Sequence, residues 1–465
     1  MYTRKESNKN CYYPSFMFVD LDTPDCLEPL LNFPMDERTE AVFLHEYIHY
    51  LQDLMTVTGL ARIETIVDQI KWAVERMSDC KNLRIPLEIK TNYYALKQNY
   101  ISLQICKGDF KIKDINNNNI SPSIKEIISF KLEDKVIDYL DGVKYRVKVD
   151  AVLLFKDEKN AEHYYRIGEL AISESMAYII ENMIYKDVLP KGSDCPYEVV
   201  KKIVTWKLKQ EVEDLVLIAL CDVCLMYSFP GMVLYYLMEF FSVYKGKITP
   251  ALIYIYGLGK EISSMFNKET NWISDLLNIS TISKRQFKDY FVHPHWNHIK
   301  EAVMEIFDRA LDYRIKNPTI FMDIACGGRI CENMELNEVV KNLGCFAIRN
   351  SNDFIYKIPS RTHIAKESID ADWFISLHQF YNLLFTNDAI KKDRKGCKYI
   401  EKQCELMGWC HKNFIEKGEP DITRNSYNCK QSPWLNISPN EIKQCSFGRL
   451  WLAFGGNRIK LKCIN

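Results

Sequence analysis

Apolar residues recur every three or four positions over residues 36–57, and this pattern predicts an amphipathic helix. Asp36 and Thr39 are suited to cap its first turn, and Gly59 is suited to end it. The predicted buried stripe comprises Ala41, Leu44, Ile48, Leu51 and Met55. A short strand over residues 15–21 is predicted to precede this helix, and a second helical pattern follows over residues 62–76.

The apolar spacing changes within residues 130–155, where alternate positions are apolar or β-branched, as is typical of strands. Asp141-Gly142 is a hairpin-turn signal in this stretch, and residues 149–155 form a further predicted strand. Helical spacing then returns, and the predicted helices cover residues 167–185, 198–227, 232–244, 251–266, 298–314 and 370–384. The pattern predicts an α+β fold that is predominantly helical and carries a β-hairpin insertion.

The amino-acid composition limits the kinds of partner that this protein is expected to bind. The 465 residues are 47% hydrophobic, which is enough for a large core, and 61 basic residues balance 61 acidic ones. No general attraction to nucleic acid or to an anionic membrane follows from that balance, so neither partner is expected. Residues 215–241 are the most apolar stretch, but Asp222, Pro230 and Glu239 interrupt it, which favours buried core helices over a membrane span.

The cysteine content suggests a compartment for the protein. The sequence begins without an apolar segment that resembles a secretory signal, and it contains 16 cysteines. Cysteines in such a chain are more often thiols or metal ligands than disulfides. The expected location is therefore a reducing cytoplasm.

The first predicted helix carries the sequence HEYIHYLQD, which contains His45, Glu46 and His49. Positions i and i+4 share one face of a helix, so both imidazoles can bind the same metal ion. Glu46 is close enough for its carboxylate to reach a metal-bound water without acting as a ligand. The segment therefore offers two metal ligands and a catalytic base.

At these residues the chain resembles the zincin metallopeptidases, whose shared element is such a helix. In the gluzincin-like branch the third ligand is a Glu on a second helix, often followed three residues later by a small residue. Glu174 with Ala177 resembles that arrangement, and Glu169 and Glu181 are its competitors on the same predicted helix. Glu181 lies seven residues after Glu174, so it is also suited to hold a ligand histidine from behind.

The resemblance stops short of any one subfamily. Ser173 and Tyr178 stand where the thermolysin-like pattern has Asn and Asp, and Gln52 stands where the metzincin extension would begin to match. The similarity thus covers two helices of this chain.

The resemblance implies that Zn²⁺ held by His45, His49 and Glu174 activates a water for which Glu46 is the base. A further donor is then needed for the oxyanion, and the candidates just before the second helix are His163, Tyr164, Tyr165 and Arg166. Gln52 lies on the site face of the first helix, where it can contact a group behind the ligands. Asp53 is either a group that orients His49 or an ordinary surface acid.

The predicted domain organisation is a zincin-like metallopeptidase domain over residues 1–320 and a Cys-rich region over residues 321–465 packed on it. Cys404, Cys410, Cys429 and Cys445 are candidate ligands of a structural zinc ion. Their spacing lacks a Cys-x-x-Cys pair, which favours buried free thiols as the alternative.

The expected function is a zinc-dependent hydrolase, and specifically an intracellular endopeptidase that acts on a protein or peptide. A non-catalytic zincin-like scaffold or interaction protein with a structural zinc site is the alternative from another class. An intact Glu46 speaks against decay to a scaffold, since a scaffold does not need the base. A hydrolase of non-peptide amides or esters also stays open, and a chain of this length leaves room for a regulatory protein partner.

Overall fold

The architecture is described from a computed structural model. It describes residues 10–23, 35–79, 82–87, 108, 122–138, 144–259, 271–290, 297–352, 354–358, 360, 372–385, 390–392, 398–400, 404, 406, 446–455 and 460–463. Within these residues the fold is α+β and mostly helical with small sheets, which confirms the coarse fold class.

The helices are α1 Glu37–Met55, α2 Val57–Asp79, α3 Glu169–Ile184, α4 Val199–Leu208, α5 Asp214–Leu225, α6 Pro230–Val243, α7 Pro250–Gly257, α8 Trp272–Tyr290, α9 Asn297–Lys316, α10 Ile320–Cys326, α11 Met334–Leu343, α12 Asp372–Phe385 and α13 Ser446–Ala453. The strands are β1 Cys11–Tyr13, β2 Phe18–Leu21, β3 Asn82–Ile85, β4 Glu126–Asp138, β5 Lys144–Lys156, β6 Glu162–Ile167, β7 Cys345–Asn350, β8 Ile355–Ile358, β9 Ile390–Lys392, β10 Lys398–Ile400 and β11 Lys460–Cys463.

The first helix begins as predicted, because the Asp36 side chain accepts a hydrogen bond from the Thr39 N–H at 3.0 Å. Its end differs from the prediction. The chain leaves α1 at Thr56 and enters α2 at once, so Gly59 lies inside α2 and does not end α1. A Cβ at Gly59 would lie 2.4 Å from the carbonyl oxygen of Gln52. A side chain at this position would collide with α1, because the first turn of α2 lies against the backbone of the last turn of α1.

Two of the sheets contain strands that precede α1 or α3 in the sequence. The larger has the order β1-β2-β7-β8, and its parallel β2–β7 pair joins residues near the start of the chain to residues 345–350. The other has the order β4-β5-β6 and is antiparallel, and β6 leads directly into α3. The strand predicted directly after the Asp141-Gly142 turn and the strand predicted over residues 149–155 form one continuous strand, β5. The predicted turn Asp141-Gly142 lies outside the described residues.

The predicted helix over residues 167–185 is confirmed as α3, but the single helix predicted over residues 198–227 is wrong. The chain leaves α4 at Lys209, whose φ of 58° is left-handed, and α5 starts only at Asp214. Lys209, Gln210 and Glu211, which follow Leu208, are exposed polar residues and interrupt the buried stripe.

The most apolar part of the sequence forms two separate helices, α5 of 12 residues and α6 of 14 residues. Pro230 occupies the first turn of α6, where its missing N–H has no helical acceptor to lose. Among the described residues, none of the helices combines the length and the apolar content that a membrane crossing requires.

Candidate metal centre

Helices α1 and α3 pack against each other and bring three predicted ligands together. One donor atom from each of His45, His49 and Glu174 lies within 4.8 Å of the others. Glu174 Oε2 is 3.3 Å from His45 Nε2 and 3.4 Å from His49 Nε2. The side chains are 7%, 12% and 14% exposed in the order of the sequence, so the cluster is largely shielded from water.

The other ring nitrogen of each histidine is held from behind. Nδ1 of His45 donates to Glu181 Oε2 at 2.8 Å, and Nδ1 of His49 donates to Gln52 Oε1 at 2.8 Å. Gln52 also donates through Nε2 to the Ser173 carbonyl at 3.1 Å, which ties α1 to α3. Such partners fix the tautomer and the orientation of a ligand imidazole. Both Nε2 atoms are thereby directed to the same point beside Glu174.

This arrangement fits a zinc ion. Nε2 of His49 is buried and has no hydrogen-bond partner, although a carboxylate oxygen lies 3.4 Å away. A buried polar atom without a partner is costly, and a metal ion between the histidines and the carboxylate would satisfy it. Two imidazoles and one carboxylate are a donor set that zinc uses in sites that keep one position for water.

The electrostatics of the cluster favour a positive charge at its centre. Burial alone lowers the pKa of His45, but its hydrogen bonds to Glu174 and Glu181 outweigh burial and raise that pKa to about 10. Burial opposes ionisation of Glu174, yet the charges of His49 and His45 hold its pKa well below the ordinary value. The cluster therefore stabilises a cation, which is either a proton on His45 or a metal ion.

Glu46 lies close enough to the cluster for the charges of His45, His49 and Glu174 to act on its carboxylate. Burial raises the pKa of Glu46 above its ordinary value, and the nearby His45 and His49 oppose that shift. Its Oε2 accepts a hydrogen bond of 2.6 Å from the backbone N–H of Tyr12 in β1. Burial and the negative charge of Glu46 also raise the pKa of the neighbouring Cys11 thiol well above the usual range.

Two acids predicted near the cluster have other partners. The predicted role of Asp53 in orienting His49 is wrong, because Gln52 takes that place and Asp53 accepts from the hydroxyl of Tyr12 at 2.7 Å. Asp53 is not a surface acid either, since it is fully buried. Glu169, the competing third ligand, forms an ion pair with Arg62, which also pairs with Asp53.

The donors predicted on the segment before α3 lie on β6. His163 bonds Asp157 through Nε2 at 3.0 Å, and Arg166 faces Asp150 at 3.6 Å, so each has an acidic partner on or next to β5. Tyr164 and Tyr165 are on the same strand. The oxyanion donor on β6 stays a prediction.

Two tyrosines near the site were missed by the sequence reasoning. The ring of Tyr197 packs edge-on against His45, with ring centroids 6.1 Å apart. Tyr12 reaches Glu46 through its backbone. Neither residue belongs to a motif or shares a helix with the ligands, so the sequence carried no local signal for either.

The cysteine candidates are described only in part. Cys404 is buried, and its thiol donates to Gln379 Oε1 at 3.3 Å. Cys410, Cys429 and Cys445 lie outside the described residues, so the structural zinc site stays a prediction. The division of the chain at residue 320 also stays a prediction.

Comparison with known proteins adds no relative. No protein-family model, no curated protein and no solved structure matches this chain.

Proposed function

We propose that this chain is a zinc-dependent hydrolase and that it acts as an intracellular endopeptidase on a protein or peptide. The observation that carries the proposal is the convergence of His45, His49 and Glu174, with Glu46 beside them and both Nδ1 atoms already bonded. A structural metal site does not need a base in that position, whereas hydrolysis does.

In the proposed reaction, His45 and His49 would hold the ion through Nε2 and Glu174 would hold it through Oε2. A bound zinc ion would supply Lewis acidity, which activates a water and polarises a substrate carbonyl. Glu46 accepts the proton of the water as its oxygen attacks the carbonyl carbon. The same carboxylate then passes the proton to the leaving nitrogen as the C–N bond breaks. Glu181 and Gln52 keep the imidazoles oriented throughout.

The resemblance to zincins and the location in the cytoplasm are parts of this proposal. The zincin comparison is supported by the two packed helices and by the second-helix Glu. The cytoplasmic location is supported by the 16 cysteines, of which eight are thiols outside any disulfide. Tyr197, whose ring contacts His45, is a further candidate oxyanion donor beside the β6 residues.

The decisive experiment is the variant Glu46→Gln. It keeps the shape of the side chain and removes the base, so we expect zinc content to stay at one ion per chain. Hydrolysis of fluorescently labelled casein should fall at least about 100-fold. Glu75→Gln, an exposed acid on α2 with the same charge change, is the matched control. Full activity in Glu46→Gln would remove Glu46 from the reaction.

Glu174→Ala tests the third ligand. Loss of the carboxylate leaves two histidines, so the zinc bound after dialysis, measured by elemental analysis, should fall well below one ion per chain. Glu169→Gln is the comparison, because Glu169 is the other ligand candidate at the start of the same helix and pairs with Arg62. Unchanged zinc in Glu174→Ala together with a loss in Glu169→Gln would reverse the assignment.

The low exposure of the cluster favours one second candidate, a non-catalytic scaffold or interaction protein in which zinc is structural. Structural zinc sites are closed to solvent, and these side chains are at most 14% exposed. A protein that binds one zinc ion, melts at a lower temperature after chelation and cleaves neither casein nor peptides would support this candidate and contradict the hydrolase.

A further inference from the structure

Strand β1 contacts the proposed base directly. The backbone N–H of Tyr12 donates to Glu46 Oε2 at 2.6 Å, and both residues are buried, with exposures of 3% and 8%. In the pairing of β1 with β2, Tyr12 stands opposite Val19, and β1 is the edge strand of its sheet. The N–H is thus used outside the sheet, and a charged acceptor makes this one of the stronger kinds of hydrogen bond.

The side chain of the same tyrosine is anchored on the same helix. Its hydroxyl donates to Asp53 Oδ2 at 2.7 Å, and Asp53 lies seven residues after Glu46, two turns along one face of α1. The Ser15 N–H donates to the same oxygen at 2.7 Å. Residue 12 therefore spans two turns of α1, with its backbone on the base and its ring on a fully buried acid.

Asp53 is connected in turn to α3, the helix that carries Glu174. Arg62 on α2 pairs with Asp53 on α1 and with Glu169, the first residue of α3. Helix α3 carries Glu174 one and a half turns later. The chain of contacts from Glu46 through Tyr12, Asp53 and Arg62 thereby connects the base to the helix that supplies the metal carboxylate.

We infer that Tyr12 is a positioning residue for Glu46: its N–H holds one carboxylate oxygen, and the Tyr12–Asp53 hydrogen bond holds the strand that carries the N–H. This inference rests on the proposed function, because it assigns a role in that reaction. A glutamate side chain has several rotatable bonds, and a base is effective only when its free oxygen is held close to the proton that it accepts. In this assignment Tyr12 acts through Glu46 and takes no part in the proton transfer itself.

The hydrogen bond from the Tyr12 N–H to Glu46 can be tested by NMR, independently of any catalytic activity. In zinc-loaded protein with isotope-labelled tyrosine amide nitrogen, one NMR signal among those of the 27 tyrosines disappears in Tyr12→Phe and so belongs to Tyr12. A hydrogen bond to a carboxylate moves an amide proton downfield, and a neutral acceptor weakens the bond. We expect the Tyr12 signal to move upfield in Glu46→Gln and to stay in place in Tyr13→Phe. An unchanged signal in Glu46→Gln would overturn the inference.

The role is tested by kinetics on labelled casein. Tyr12→Phe removes the anchor, and replacing Tyr12 by its α-hydroxy analogue turns the N–H into an ester oxygen while keeping the ring. We expect kcat to fall about 10- to 100-fold in the ester protein, as for the loss of a hydrogen bond to a charged group, and less in Tyr12→Phe. KM and zinc content should not change. Tyr13→Phe is the matched control, since the Tyr13 hydroxyl bonds Asp20 on the same sheet.

The outcomes separate this inference from the proposed function. A kcat for the ester protein within two-fold of the wild type, with zinc content unchanged, would overturn the positioning role and leave the hydrolase standing. A wild type that cleaves no substrate would refute the proposed function, and the assigned role with it. The NMR comparison would in that case still decide whether Tyr12 holds Glu46.

Discussion

At the residue scale, the orientation of the two imidazoles in the cluster depends on the side chains that bond their Nδ1 atoms. Glu181 is 1% exposed and bonds His45 Nδ1, so a buried carboxylate is retained next to an imidazole. A buried carboxylate is costly unless it is paired, and here the partner is a histidine that is oriented towards Glu174. In the proposed zinc site, this arrangement would strengthen the imidazole as a metal ligand.

We therefore expect Glu181→Gln to weaken zinc binding by about 10- to 100-fold while leaving the site able to bind zinc at saturation. Loss of the negative charge makes His45 a poorer ligand, because its Nδ1–H faces a neutral acceptor. Competition with a chromophoric chelator measures the affinity, and Glu162→Gln, an exposed acid on β6, is the control with the same charge change. Equal affinities in both variants would show that Glu181 has no influence on the metal.

The residues that the sequence predicted well are those whose positions follow from helical spacing. His45 and His49 share a face at i and i+4, and Glu174 and Glu181 share a face at i and i+7. The contacts of Tyr12 were not predictable, because they join residues 34 and 41 positions apart through the path of β1. Spacing assigns a residue to a face, but only the tertiary fold decides which partner that face meets.

At the element scale, α1 is held against its neighbouring elements by contacts near both of its ends. Near the start of α1, Arg329 pairs with Glu37 at 2.7 Å and with Glu40 at 3.2 Å. The Tyr185 hydroxyl, just after α3, donates to Glu40 at 2.9 Å and accepts from the Ile330 N–H at 3.0 Å. At the other end of α1, Gly59 of α2 lies directly against the backbone of Gln52 and Asp53.

Gly59→Ala tests that contact. The added Cβ would meet the backbone of Gln52 and Asp53 at 2.4 to 2.7 Å, so α2 must move. We expect a loss of about 1–3 kcal/mol in the free energy of unfolding, which is the usual effect of overpacking. Zinc affinity should fall as well, because Gln52 orients His49.

Chemical denaturation and chelator competition provide the two measurements for Gly59→Ala. Lys71→Ala, at an exposed position of the same helix, is the control and should change stability by no more than about 0.5 kcal/mol. Gly59→Ala with the stability and zinc affinity of the wild type would show that the contact tolerates a methyl group. The sequence predicted a helix end here because glycine often ends helices, and the same residue also permits close packing.

At the scale of the whole molecule, a buried ion pair joins α5 and α9, two helices that do not carry residues of the candidate metal site. Arg314 on α9 bonds both carboxylate oxygens of Asp222 on α5, at 2.8 and 2.9 Å, and both side chains are fully buried. The Tyr254 hydroxyl on α7 donates to the same carboxylate at 2.6 Å. Burial raises the pKa of Asp222 above its ordinary value, and Arg314 opposes that shift.

Arg314→Met should therefore destabilise the protein by about 3–5 kcal/mol at neutral pH, because it leaves a buried carboxylate without its cation. An acid whose pKa is higher in the folded state than in the unfolded state loses stability as the pH rises above the unfolded value. Without Arg314 the folded pKa of Asp222 rises further. The deficit relative to the wild type should consequently be larger at pH 8 than at pH 5.5, as measured by urea denaturation.

Lys316→Met on the same helix is the control for Arg314→Met, since the Lys316–Asp312 pair is 72% and 63% exposed and an exposed pair contributes little. The double variant Arg314→Met with Asp222→Asn should regain much of the lost stability, because it removes the unpaired charge. A deficit that is independent of pH, or one that matches Lys316→Met, would contradict the assigned role of the pair. Since Arg314 and Asp222 are not among the residues that hold the metal cluster, zinc bound by the folded Arg314→Met protein should stay at one ion per chain. Stability and metal binding are thus expected to separate in this variant, whereas in Gly59→Ala they fall together.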